Sequence, residues 1–179
     1  MSYRQTLREL AFDSHGVVTV ADAAERGVPA VELRKLASRG ALQRISQGVY
    51  RMLEAPTTEL SEFAEAVAAT GCAEAVLVDE AVLAAHGLAQ VNLRTIKVGV
   101  PRRTRTQVPA TVEIVQRIVP DEDRDFIEGI PAMTIPAAIR ATKGRILRER
   151  LVDAARQAEA RDLISEADRD DLVKELTNQ

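Results

Sequence analysis

An α+β chain in two parts is predicted from three features of the 179 residues. Between Thr19 and Met52, two short helical patterns meet at Gly27 and run into a hairpin. Beyond Pro56, runs of β-branched residues alternate with helical stretches. Between the two, Leu53-Glu54-Ala55-Pro56-Thr57 ends the strand character and interrupts the chain with proline. Together these features describe an N-terminal winged helix-turn-helix domain over residues 1–55. A C-terminal α+β domain over residues 56–179 follows, with a small sheet and a helical end.

Thr19 can cap a helix with Asp22 three residues on, and Val20, Ala23 and Ala24 give that helix a narrow apolar face. Gly27 ends it, because such a corner often needs positive φ, which glycine adopts without steric cost. Pro29 suits the first position of the next helix. From Pro29 to Arg39, the apolar Val31, Leu33, Leu36 and Ala37 can be buried, whereas Glu32, Arg34, Lys35, Ser38 and Arg39 fall largely on the other side. Gly40 stops this second helix. Leu42 to Ile45 and Val49 to Met52 then read as short strands about a Ser46-Gln47-Gly48 turn, which is the shape of a wing.

After the boundary, Thr58 is placed to cap a helix in which Leu60, Phe63, Ala64, Val67 and Ala68 recur at helical spacing before Gly71. Ala75 to Val78 reads as a strand, and Asp79 as the cap of a helix running to His86 and Gly87. Thr95 to Val100 and Thr111 to Val119 are rich in β-branched residues, flank a basic, proline-bounded loop and are expected to pair. The acidic stretch Asp121 to Asp125 reads as a solvated turn, since it lacks the glycine and terminal glutamate of a calcium loop. Gly129-Ile130-Pro131 leads through Met133-Thr134 into helices expected from Ile135, from Ile146 and, behind a capping box spanning Ser165 to Asp168, from Glu166.

With 46% hydrophobic and 28% charged residues the chain has the composition of an ordinary globular protein. It holds no apolar run long enough to span a bilayer and no secretory leader pattern, so a cytoplasmic location is expected. The single cysteine, Cys72, excludes an intramolecular disulfide and a multi-thiolate metal site. His15 and His86 stand apart from each other and from any nucleophile or acid at a recognisable spacing, so no catalytic residue, metal or cofactor is assigned. His86, before Gly87 at a helix end, is expected to interact with free carbonyls. Aromatic residues make up only 3%, which argues against a stacking platform for single strands and leaves duplex DNA as the better target.

The net charge of −3 is unevenly spread: residues 1–52 carry eight basic and five acidic side chains, a net of +3, which leaves −6 for the rest. A helix with free polar residues near its N-terminus can enter a major groove, where base edges carry a distinct donor and acceptor code. DNA contacts are therefore expected from Thr19, Pro29, Ala30, Glu32, Arg34, Lys35, Ser38 and Arg39, with Arg34, Lys35 and the backbone amides beside Pro29 foremost. Arg44, Ser46, Gln47 and Arg51 extend that surface, Arg44 and Arg51 flanking the wing tip to reach phosphates or a minor groove. Arg94, Lys97, Arg102, Arg103 and Arg105 offer a second basic surface, with no acidic residue until Glu113. It reads either as plain solvated surface or as a contact for DNA backbone or an acidic partner. Arg140, Lys143, Arg145, Arg148 and Arg150 form a further cluster, diluted by Glu149 and Asp153. A module of such modest charge binds one half-site weakly, so self-association on DNA is expected.

The stretch GVVTVADAAERGVPAVELRKLASRGALQRISQGVYRM resembles the N-terminal winged helix-turn-helix of AbiEi-type antitoxins, the transcription-regulating half of type IV toxin–antitoxin pairs. Ala23, the corner Gly27, Leu33, Leu36, Ser38-Arg39-Gly40 and Gly48-Val49-Tyr50 carry the resemblance. It continues more weakly through AVLVDEAVLAAHGL, IKVGVPRRTR, VEIVQRIV and IEGIPAMTIPAAI. Where a helix in that family often has an arginine–threonine pair followed by an acidic residue, Ala137-Ala138-Ile139-Arg140 stands here. The resemblance implies a regulator that binds double-stranded operator DNA, represses its own toxin–antitoxin operon and counteracts a nucleotidyltransferase toxin through its second domain. It does not require a direct complex with that toxin. Two alternatives stay open: a stand-alone, ligand-responsive winged-helix transcription factor, and a protein-docking module that binds no DNA. Enzymatic activity is not expected.

Overall fold

The computed structural model describes residues 1–178. Ser2 caps α1 (Tyr3–Asp13), which buries Leu7 and Ala11. After β1 (Val17–Thr19), Thr19 caps α2 (Val20–Glu25), its Oγ1 accepting from Asp22 N at 3.0 Å. Gly27, at φ +72°, makes the corner into α3 (Ala30–Ser38). Pro29 is thus the N-cap and not the first helical residue, because its ψ of 146° keeps its own backbone extended. β2 (Leu42–Ser46) and β3 (Val49–Met52) form the wing about Gln47-Gly48, and β1 adds to the other edge of β3 in the antiparallel order β1-β3-β2. β1 escapes a reading by periodicity, since three residues are too few for a period to register.

Arg44 pairs with Tyr50 but Ser46 with Val49, so Ile45 is an extra, bulged residue. A bulge re-aims the side chains beside it. Ser46 consequently turns inward, and its Oγ donates to the Ala69 carbonyl at 3.0 Å. Leu7, Ala11, Val18, Ala23, Val28, Leu33, Leu42, Tyr50 and Met52 form one core between the first three helices and one face of this sheet. Ala24 and Val31 stay exposed, contrary to the expectation from spacing. Each short helix fully buries a single residue, Ala23 in α2 and Leu33 in α3, so the apolar stripe is too narrow to include them.

From β3 the chain passes through residues 53–60, without helix or strand, to α4 (Ser61–Ala69). α4 packs on all three wing strands and also on strands of the second sheet, so it lies between the two. Alanines at 64, 66, 68 and 69 keep it thin enough to be approached from both sides. The second sheet has the order β6-β5-β4-β8-β7, built from β4 (Val76–Leu77), β5 (Ile96–Val100), β6 (Val112–Gln116), β7 (Arg124–Ile127) and β8 (Ile130–Met133). β5 and β6 pair, in parallel, across the basic loop between them. The β7–β8 hairpin lies where the sequence suggests only an acidic turn and a lead-in to helix. Its Glu128-Gly129 turn, with φ +45° and +85°, has the sign pattern that hairpins favour, but charged residues and Pro131 mask the alternation of its strands.

α5 (Glu80–Ala85) follows β4, and α6 (Ile135–Ala141), α7 (Arg148–Ala160) and α8 (Glu166–Thr177) close the helical end. Helix α7 begins two residues beyond Ile146, and α8 starts at the Ser165–Asp168 capping box. A second, larger core runs through the sheet and these helices. No helix among the described residues is long and apolar enough to cross a membrane.

Gly99 sits in β5 where a Cβ would lie 2.8 Å from Val78 Cγ1 on the neighbouring segment. Gly99→Ala is expected to lower stability by about 1–3 kcal/mol through overpacking. The measurement is the denaturant midpoint at constant slope, and an unchanged midpoint would show that β4 and β5 can separate at no cost.

Candidate nucleic-acid interface

Helical geometry places Val31, Lys35 and Ser38 opposite the buried Leu33 of α3, and Arg34 on the flank of the helix about 100° from it. All four are exposed. Arg34 has no carboxylate within ion-pair distance among the described residues, whereas Lys35 Nζ lies 2.8 Å from Glu32 Oε1. Ser38 Oγ donates to the Lys35 carbonyl of its own helix at 2.8 Å. Val31, which spacing assigns to the buried side, is an exposed apolar side chain on this otherwise polar outer face.

Glu32 and Arg39 turn away from that face, since with Leu36 they line a groove against Ser2, Tyr3 and Arg4 at the start of α1. Thr19 is engaged in its cap, accepting from Asp22 N and donating to Asp22 Oδ2 at 2.7 Å. Pro29 has no N–H, and its carbonyl accepts from Glu32 N at 2.9 Å; no side chain caps α3, so the Ala30 and Val31 N–H groups at its start are left open to an anion.

On the wing, Arg44 and Gln47 are exposed, and Arg44 Nε donates to the Ser46 carbonyl at 3.3 Å, which holds the guanidinium along the hairpin toward its tip. Ser46 and Arg51 leave the expected surface. Ser46 is turned in by the bulge. Arg51 pairs across the sheet with Val17 and Gln43, well back from the tip. Strand alternation sets it opposite the buried Tyr50 and Met52, on the face that α4 covers, where it ion-pairs with Glu65. Burial pushes the Glu65 carboxyl above its ordinary range, against the pull of Arg51 and with the push of Glu62.

The β5–β6 loop comes up beside the wing: Arg105 to Pro109 and Arg44 to Gln47 line one cleft of about 500 Å³. Arg102, Arg103 and Arg105 are exposed, without an ion-pair partner among the described residues, and Arg94 is exposed on the segment entering β5. Lys97 drops out of this surface, because it lies within β5 with Nζ 3.2 Å from Glu80 Oε2. The third basic cluster is mostly exposed but largely neutralised: Arg140 and Lys143 pair with Glu175, and Arg145 with Asp79 and Glu80. Burial would raise the Glu80 carboxyl, but hydrogen bonds from Arg145, its own backbone N–H and Lys97 hold it below the usual carboxylate range.

Asp79 departs from its expected role as a cap. It occupies the N-cap of α5 at φ +58°, ψ −131°, but its carboxylate makes no cap bond and instead meets Arg117 and Arg145. His86 differs likewise: its own carbonyl accepts from Arg161 Nη1 at 2.6 Å, while burial and the charge of Arg161 depress the ring's pKa. His15 ties the two halves together through Nε2 and the Glu128 carbonyl, 2.8 Å apart. Cys72 is half-buried and free. No group of three or more His, Cys, Asp or Glu that could hold a metal ion occurs among the described residues.

Residues 5–52, from α1 to the end of β3, match the model of a family described as "Transcriptional regulator, AbiEi antitoxin". The resemblance read from the sequence is thereby shown for this segment, and the description is of a regulator, not an enzyme. Over 98% of the chain the fold is similar to that of the RV2827C protein from Mycobacterium tuberculosis, known from a crystal structure, with a TM-score of 0.55 and 17% identity, covering 70% of that protein. At that identity the likeness concerns the fold alone. No curated protein matches the chain in sequence.

Proposed function

We propose that the protein is a transcriptional regulator that binds duplex operator DNA through α3 and the wing, and that it acts as the antitoxin of a toxin–antitoxin operon it represses. The observation that carries this reading is the set of guanidinium groups without a carboxylate partner among the described residues: Arg34 on α3, Arg44 on the wing, and Arg102, Arg103 and Arg105 on the adjoining loop. Arg34 suits bidentate contact with a guanine edge in the major groove. The open N–H groups at the start of α3, together with Arg44 and Gln47, suit phosphates on either side. The loop arginines extend the backbone contact beyond the winged domain. The match over residues 5–52 supports the regulatory role. Opposition to a nucleotidyltransferase toxin, without an obligatory complex, follows from the family resemblance.

Retardation of a DNA fragment from upstream of the protein's own gene tests the binding, measured as a function of salt. Replacing Arg102, Arg103 and Arg105 by alanine is expected to weaken binding evenly across sequences and to reduce the slope of log K against log salt by about 2–3, since each phosphate contact contributes about 0.9. An unchanged slope removes the loop from the interface, and absence of retardation at low salt removes DNA binding altogether. Co-expression with the neighbouring gene tests the antitoxin role. Growth inhibition that the full chain fails to relieve discards it.

A further inference from the structure

The second sheet ends in two edges, β7 and β6, and the chain treats them differently. An edge strand presents a row of unpaired N–H and C=O groups, open to a further strand unless something blocks it. On β7 these groups are answered within the chain: Phe126 N–H donates to Asp125 Oδ1 at 2.8 Å, and the Glu128 carbonyl beyond it meets His15. β6 has no such cover at its centre. Thr111 O accepts from Ile96 N, and Arg117 N donates to Val100 O, so the odd-numbered residues turn their peptide groups toward β5. Ile114 and Gln116 therefore turn theirs outward, where no loop or side chain among the described residues bonds to them.

This open edge is complementary to itself. Laid antiparallel about Val115, Glu113-Ile114-Val115-Gln116-Arg117 sets Glu113 opposite Arg117 and Ile114 opposite Gln116. Ile114 and Gln116 then exchange both N–H···O bonds of a hydrogen-bonded pair, as their outward groups require. The charges suit the same register. Glu113 is exposed and meets only the Thr95 hydroxyl, at 2.9 Å, since Lys97 beside it in β5 is turned to Glu80. Arg117 belongs to a cluster of three cations, Lys97, Arg117 and Arg145, against two carboxylates, Asp79 and Glu80, which leaves one positive charge to answer. One step further out, Ile118, 77% exposed, comes opposite the half-buried Val112. Turning the pair about Ile114 instead sets Glu113 opposite Val115 and Arg117 opposite Thr111, and loses both matches. We propose that β6 is a self-association edge, through which two copies of this chain pair about a two-fold axis at Val115 and join their sheets into one. The contact is isologous, so the Glu113–Arg117 and Val112–Ile118 pairs each occur twice, and it needs no DNA. One pair of short strands buries less than a standard interface, so a Kd on the order of 10–100 μM is expected.

Sedimentation velocity on the full chain, without DNA, measures the association. Between about 5 and 500 μM the mean sedimentation coefficient is expected to rise from that of a monomer to that of a dimer. Glu113→Lys sets like charges opposite each other at two places and Ile118→Lys removes two apolar pairs, so each is expected to raise Kd about 10-fold or more. Both side chains are exposed in the monomer, and folding does not need them. The register has its own readout. Val115 faces its own copy in a non-hydrogen-bonded pair, where Cβ atoms stand about 4.5–5.5 Å apart, near disulfide range. In a Cys72→Ala background, diamide is expected to oxidise Val115→Cys to a covalent dimer about 10-fold faster than Glu113→Cys, whose two copies are offset by four residues. A monomer at every concentration overturns the proposal and leaves the edge to a different partner or to water. A dimer unaffected by both lysine variants, or cysteines that cross-link at equal rates, overturns it as well, since the copies then meet elsewhere.

Discussion

Alanine at both Arg34 and Lys35 is expected to weaken binding to the promoter duplex by about 100-fold, most of it through Arg34. Both side chains are exposed on α3, Lys35 opposite Leu33 and Arg34 on the flank, and they are not equivalent. Arg34 has a guanidinium with no carboxylate partner among the described residues, and losing one bidentate base contact costs about 1–3 kcal/mol. Lys35 sits 2.8 Å from Glu32, so its charge is already partly answered and its loss is expected to matter only a few-fold. Glu32→Ala should then tighten binding slightly by releasing the ammonium. The Arg34 variant should also lose preference at one base pair, which sets it apart from the loop arginines, whose removal acts on salt dependence. Fluorescence anisotropy with a promoter duplex and single-base variants of it measures both. Affinity unchanged in the double variant would place α3 outside the interface.

Asp79→Ala is expected to cost about 2–4 kcal/mol, or a fall in Tm of about 6–12 °C in a chain of this length. The carboxylate is 3% exposed and touches two guanidinium groups: Arg117 at the end of β6, and Arg145, whose Nη2 lies 3.1 Å from Oδ2, between α6 and α7. It therefore ties the β4–α5 turn to two distant segments. The arginines are 37% and 46% exposed and can turn to water when the carboxylate is removed, which keeps the cost below that of a wholly buried pair. Alanine also inherits φ +58°, a region that costs a non-glycine residue about 1 kcal/mol or more. Asp79→Gly removes that strain while losing the same ion pairs, so it is expected to be no less stable than Asp79→Ala. A denaturant melt showing Asp79→Ala within about 0.5 kcal/mol of the wild type would mean that the cluster is surface ornament.

Much of the interface is legible in the residues themselves, and its errors share one cause. Arg34 and Arg44 are exposed, as their positions in a polar helix face and a hairpin suggest. Ser46 and Arg51 look equivalent to Arg44 in a strand that alternates, because alternation assigns a side chain to one of two faces without saying what covers either. Here both faces are covered, one by the helices of the first core and the other by α4, and the bulge at Ile45 shifts the register between them. Lys97 reads as part of a basic run until β5 carries it to Glu80, seventeen residues earlier. The approach of the β5–β6 loop to the wing has no local signal at all, since it depends on how two sheets stack about one helix.

By itself the sequence determined the parts that near neighbours settle: the Thr19 cap, the Gly27 corner, the capping box at Ser165 and the polar outer face of α3. Each follows from contacts within a turn or two of chain, where residue type and spacing are enough. Only the tertiary structure decided which cations stay free, which carboxylates they meet and what lies behind the wing. Burial and ion pairing come from segments far apart in the chain, and the insertion of α4 between the two sheets brings those segments together.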